Sequence, residues 1–281
     1  MTVTGDRTVR AGRHELRVSI EGGTPGGRNA RPPLLLINGL GGHIRMWDPL
    51  RRHLVGVPTI AFDAPGTGDS PTPALPQSVV GVSRMVTRLL DALELPEVDV
   101  LGYSLGGVVA QQLAWTSPRR VRRVVLLSTN TGWGSVPAHP VAFKGLLSMR
   151  RLRDPAYYAD LAPDLLGGEM RRDPDLVAQA AQLRTLESPD TRGYLYQLLS
   201  CTTWSTIPYL RLIRQPTLVV NGDDDPLARP INARAIARLI PHARLHLVRG
   251  AGHHLFLERP DEVSTVVGAF LERDGLPGGD A

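Results

Sequence analysis

The 281-residue chain has a single cysteine, Cys201, so no intramolecular disulfide can form. It sits in Leu-Leu-Ser-Cys-Thr-Thr-Trp without a glycine elbow, and reads as a small packed residue rather than a nucleophile. Lysine is equally scarce: Lys144 is the only one, and the other basic residues are arginine. The net charge is +5, yet aromatics make up only 5% and do not interleave with the arginine runs. Those runs, Arg119, Arg120, Arg122 and Arg123, then Arg150, Arg151 and Arg153, read as solvated faces, and no nucleic-acid partner is expected. No stretch approaches the ~20 apolar residues of a transmembrane segment. The first residues, Met1 to Ile20, alternate charged and apolar side chains and lack the ~7–15-residue apolar core of a signal peptide, so the expected location is cytoplasmic. The sequence offers no metal-ligand cluster and no nucleotide-binding loop, and neither metal nor cofactor is expected.

What is present is an ordinary balance for a globular protein, 42% hydrophobic and 21% charged. Short apolar runs at Leu34–Ile37, Thr59–Phe62, Val98–Leu101, Val124–Leu127, Thr217–Val220 and Leu245–Val248 read as strands buried on both faces. Helical spacing falls between them, at Val82–Leu95, Val108–Thr116, Ile231–Ile240 and Glu262–Glu272. This alternation predicts an α/β fold with a mostly parallel, twisted sheet flanked by helices. Between residues 132 and 214 the alternation stops, and a helical, proline-punctuated stretch takes its place. The expected organisation is a core of residues 1–131 and 215–281 with a helical lid inserted at 132–214. The Gly/Pro-rich tail Gly275–Ala281 reads as a fraying end.

Candidate chemistry gathers at the ends of those strands. Val98–Leu101 runs into Gly102-Tyr103-Ser104-Leu105-Gly106 and then a helix. Strand, G-x-S-x-G and helix together mark a sharp elbow that lifts a serine out of the sheet, and residues two before and two after it must be glycine to avoid collision. A serine hydroxyl needs a base, and in this arrangement acid and then histidine follow in chain order. Gly252-His253 after the last strand supplies the base, with His254 as rival and a partly buried supporting role as its expected place. Asp225, followed by Pro226, is the best acid among Asp223, Asp224 and Asp225; the other two are expected to cap or solvate the loop. After Leu34–Ile37 come Asn38-Gly39-Leu40-Gly41-Gly42, where glycines let backbone approach a substrate oxygen. The backbone N–H groups of Leu40 and Leu105 are the candidate oxyanion donors, with Asn38, Gly39, Gly102 and Gly106 supporting them. His43 lies in the same loop and is a lesser candidate for substrate contact.

With these residues in place, the sequence resembles the α/β-hydrolase superfamily over almost its full length. The carrying stretches are Asn38–Gly42, Phe62–Gly68, Gly102–Gly107, Asn221–Leu227 and Gly250–Pro260. Asn38 in place of the usual histidine, with Gly167-Gly168-Glu169-Met170-Arg171-Arg172-Asp173-Pro174, Gly193–Leu198 and Trp204–Ile207, resembles intracellular depolymerases of medium-chain-length poly(3-hydroxyalkanoates). That resemblance implies a serine esterase acting on aliphatic 3-hydroxyacyl esters, with a small-molecule or polyester substrate and an association with polymer granules. A small-molecule esterase, lactonase, thioesterase or carbon–carbon hydrolase with the same triad is the alternative, and a non-catalytic ligand-binding relative a third reading.

Overall fold

The computed structural model describes residues 5–22, 31–187 and 190–272. The tail Gly275–Ala281 and the side chain of Cys201 lie outside the described part. Eight strands form one sheet: β1 (Gly5–Ala11), β2 (His14–Glu21), β3 (Leu34–Ile37), β4 (Thr59–Phe62), β5 (Val98–Tyr103), β6 (Val121–Leu127), β7 (Thr217–Gly222) and β8 (Ala243–Val248). Their spatial order is β1-β2-β4-β3-β5-β6-β7-β8. β3 to β8 run parallel, while β2 pairs antiparallel with both β1 and β4. β1 and β2 are additional to the six strands expected from the apolar runs. The charge alternation of the N-terminus is their period-two pattern, and Gly12, at φ +65°, makes the tight turn between them.

The described residues form ten α-helices in chain order: α1 (Asp48–Arg51), α2 (Val79–Ala92), α3 (Leu105–Thr116), α4 (Pro140–Leu147), α5 (Pro155–Leu166), α6 (Pro174–Thr185), α7 (Thr191–Thr202), α8 (Pro230–Leu239), α9 (Leu255–Glu258) and α10 (Pro260–Glu272). The strands explain the layering. Leu35 and Ile37 pack on one face with Val86 and Leu89 of α2, Leu113 of α3 and Ile236 of α8. Leu34 and Leu36 pack on the other with Leu50 of α1 and Val263 and Val267 of α10. Successive side chains point to opposite faces, so a strand covered on both sides must be apolar throughout. No helix among the described residues is long and apolar enough to cross a membrane.

Helices α4 to α7 occupy the stretch between β6 and β7. Pro140, Pro155 and Pro174 sit in the first turns of α4, α5 and α6, where the missing N–H costs nothing, while Pro163 lies inside α5. Asp154 and Asp173 cap two of these helices by accepting backbone N–H bonds. The two ends of the stretch are tied together by Trp133 N–H donating to the carbonyl of Trp204 at 2.7 Å. Tyr158, Leu165 and Leu166 of α5 join the same apolar cluster as Leu34 and Leu36, so the inserted helices share a core with the sheet.

The strand order locates the site. From β3 the chain passes to β4 on one side and then to β5 on the other. The loops after β3 and β5 therefore diverge, leaving a crevice at the carboxyl ends of the strands where ligands bind in such sheets.

Candidate active site

Ser104 stands between β5 and α3 with φ +53° and ψ −119°, a conformation non-glycine residues rarely adopt. Three hydrogen bonds hold it there. Its N–H donates to Leu127 O at 2.9 Å, and its carbonyl accepts from Gly107 N–H at 2.9 Å and from Thr129 Oγ1 at 2.6 Å. The elbow glycines are needed because the turn is so sharp. A Cβ on Gly102 would lie 2.4 Å from Gly106 O, and one on Gly106 would lie 2.0 Å from Ile37 O. The clash is of the elbow with itself and with the end of β3.

His253 Nε2 is 3.2 Å from Ser104 Oγ, and its Nδ1 is 2.8 Å from Asp225 Oδ2. The other carboxylate oxygen of Asp225 accepts from the N–H groups of Leu227 and Ala228 at 2.8 and 2.9 Å. The turn beyond Pro226 thus fixes the acid. His254 is buried against Tyr103 and Phe256, more deeply than the partly buried place expected of it. Burial and the neighbouring His253 and Arg184 hold its pKa well below the usual histidine value, so it stays neutral. Asp223 accepts from Gly250 N–H at 2.7 Å. Asp224 neither caps nor simply solvates its loop: it accepts from Gly168 N–H at 3.0 Å and pairs with Arg171, joining the acid loop to the inserted helices.

The loop after β3 is held by side chains. Asn38 Nδ2 donates to His43 O at 2.8 Å, and Gly41 N–H donates to Gln197 Oε1 at 2.8 Å. Gly39 lies so close that an added Cβ would be 3.0 Å from Ser104 Cβ. Gly39, Leu40 and Leu105 border a cavity of about 620 Å³ that also reaches Ser104 and His253. Among the described residues neither Leu40 N–H nor Leu105 N–H donates to a protein acceptor. His43 is different: it is fully buried, with Nε2 3.0 Å from Leu183 O, and packs under α6 outside the cavity.

Trp133, Phe143, Leu146 and Tyr158 of the inserted stretch line the cavity; Tyr194, Tyr196 and Trp204 do not. Sequence reasoning missed four contributors. Tyr103, inside the elbow, is buried against His253, Phe256 and Trp47. Glu258 accepts from Gly252 N–H and Glu169 N–H, both at 2.9 Å, and burial raises its pKa to about 7. Arg151 and Arg184 line the cavity at 4% exposure each. The runs are therefore not solvated throughout: Arg151 is buried in the cavity wall and Arg123 packs over Phe270. A residue-by-residue pattern in a run cannot show which arginine a later helix covers.

Residues 32–260 match the family model described as alpha/beta hydrolase fold. The chain is 37% identical over 269 residues to a poly(3-hydroxyalkanoate) depolymerase from Ectopseudomonas oleovorans, covering 95% of this chain and 93% of the relative. It is 25% identical to 3-oxoadipate enol-lactonase 2 from Acinetobacter baylyi, over 88% of this chain and 91% of that one. The crystal structure of the enol-lactonase from Burkholderia xenovorans LB400 superposes with a TM-score of 0.79 at 25% identity, covering 95% of this chain and all of that one. By family match, relatives and architecture alike, the chain belongs to the α/β-hydrolase-fold family.

Proposed function

We propose that this protein is a serine carboxylic-ester hydrolase that cleaves poly(3-hydroxyalkanoate) or related aliphatic 3-hydroxyacyl esters through an acyl-enzyme on Ser104. The observation carrying the proposal is the hydrogen-bonded line from Asp225 through His253 to Ser104, opening onto a mainly apolar cavity bordered by Leu40 and Leu105. The 37% identical relative supports the substrate class.

In the proposed reaction His253 Nε2 takes the proton of Ser104 as Oγ bonds to the ester carbonyl carbon. Asp225 accepts the Nδ1 hydrogen, which fixes the tautomer and stabilises the imidazolium. The N–H groups of Leu40 and Leu105 receive the charge that develops on the carbonyl oxygen. The tetrahedral species collapses, the ester C–O bond breaks, and His253 protonates the departing alcohol. Water, deprotonated by His253, then releases the acid and restores Ser104. The 3.2 Å Ser104–His253 separation is loose for proton transfer and shortens when substrate fills the site. Residues 132–214 act in this reading as the lid, their apolar side chains taking the aliphatic part of the substrate.

The test is release of 3-hydroxy acids from a medium-chain polyester together with labelling of Ser104 by a fluorophosphonate. Labelling without polymer cleavage points to the small-ester or lactone readings, which the enol-lactonase likeness favours. Absence of labelling refutes the serine mechanism.

A further inference from the structure

Arg151 and Arg184 are both 4% exposed, both line the cavity that holds Ser104, and among the described residues neither forms an ion pair. Their environment supplies carbonyls and phenols instead of carboxylates. Arg184 Nη1 donates to Gly41 O at 2.9 Å and Leu40 O at 3.4 Å, while its Nε and Nη2 are buried without a partner. Arg151 Nη2 donates to the Tyr194 hydroxyl and, at 3.5 Å, to Leu146 O; its Nε also has no partner. His254 Nδ1, in the same wall, is buried and unpartnered too. The groups acting most on Arg184 are Arg151 and the phenols Tyr158, Tyr194 and Tyr103. Burial and Arg151 lower its pKa to about 10, which still leaves it a cation at neutral pH.

Two buried guanidinium groups in the wall of one mainly apolar cavity, with no carboxylate paired to either among the described residues, are an uncompensated cost unless an anion joins them. A purely structural role accounts for the Arg184 bonds to the loop after β3 and the Arg151 bonds to Tyr194 and Leu146, but supplies no counter-charge to either guanidinium. We propose that Arg151 and Arg184 form a carboxylate-binding subsite, so that the preferred substrates are aliphatic esters carrying a free carboxylate, such as the carboxyl-terminal unit of a 3-hydroxyacyl oligomer. This inference rests on the ester-hydrolase reading. The alkyl part lies along Leu146, Leu165 and Leu198, and the carboxylate accepts guanidinium hydrogens at the cavity wall, a charge-assisted interaction that a neutral ester cannot match.

The experiment compares the free-acid dimer of 3-hydroxyoctanoate with its methyl ester, and measures inhibition of p-nitrophenyl octanoate hydrolysis by octanoate and by octanamide. The free-acid dimer is expected to have at least roughly tenfold higher kcat/KM, mostly through KM, and octanoate at least roughly tenfold lower Ki than octanamide. Arg151→Met is expected to erase the octanoate advantage while leaving octanamide inhibition within about twofold. Equal values for acid and neutral partners in the wild-type protein overturn the subsite, whether or not the variant folds. If p-nitrophenyl octanoate is not hydrolysed at all, the ester-hydrolase reading has failed. Calorimetric titration with octanoate and octanamide then decides the anion subsite separately.

Discussion

The backbone N–H of His253 donates to the carbonyl oxygen of Leu166 at 2.7 Å, so the loop carrying the candidate base hangs on the last residue of an inserted helix. The approach is possible because Gly252, Gly167 and Gly168 present no side chains. A Cβ on Gly252 would lie 2.2 Å from Leu166 O, one on Gly167 2.2 Å from Asp224 O, and one on Gly168 2.1 Å from Gly252 N. The inserted helices thus touch both the acid loop and the histidine loop through bare backbone. Replacing Gly167, at φ +72°, by alanine is expected to lower stability by roughly 1–3 kcal/mol and to reduce kcat. Urea denaturation and steady-state kinetics on the same preparation measure both. An unchanged kcat would show that this seam does not position the base.

The triad roles predict a ranking. Ser104→Ala and His253→Ala should each lose at least ~10³-fold in kcat on p-nitrophenyl esters. Asp225→Asn should be nearly as damaging, because asparagine cannot stabilise the imidazolium and favours the wrong tautomer. Asp223→Asn and Asp224→Asn should keep activity within roughly tenfold, the loss at Asp224 showing first in thermal stability through its Arg171 pair. A worse kcat for Asp224→Asn than for Asp225→Asn would move the acid.

His254 separates geometry from adjacency in sequence. Its ring packs on Tyr103 and Phe256, with centroids 5.9 and 5.7 Å away. His254→Phe should keep that packing and retain kcat on neutral esters within roughly tenfold, with the acid limb of its pH–rate profile unmoved. Loss of that limb would assign the titrating base to His254.

Glu258 predicts a pH dependence of stability. Burial raises its pKa from 4.5 to about 7. Its contribution is therefore fully present below pH 4.5, where folded and unfolded chains are both protonated, and is lost as pH rises through about 7. Glu258→Gln stays neutral at every pH. The stability of the variant relative to wild type should rise between pH 4.5 and pH 8, by at most about 3 kcal/mol. Denaturant titrations across that range give the difference, and a difference that does not change with pH would rule out this carboxyl as the source.

The cavity predicts an acyl-length profile. Each methylene it buries contributes up to ~0.8 kcal/mol, so kcat/KM on p-nitrophenyl esters should climb roughly fourfold per methylene from acetate to medium chains, then level off. A profile that peaks at acetate counts against the depolymerase-like reading.

The sequence by itself determined the parallel strands, the elbow and the chain order of Ser104, Asp225 and His253. These depend on local patterns: apolar runs that only a doubly covered strand can use, and glycines within two residues of the serine. The N-terminal hairpin is equally local: its charged-apolar alternation is the period of a strand with one covered face. Tertiary structure decided how the loops after β7 and β8 cross, which brings His253 Nδ1 to 2.8 Å from Asp225 and turns the His254 ring against Tyr103 and Phe256. It also decided that Arg151, one of three arginines in a polar run, lies inside the cavity with Arg184, and that Gly167 and Gly168 touch the loops of Asp225 and His253. Contacts between residues dozens of positions apart leave no period in a sequence, because the covering surface is supplied by another part of the chain.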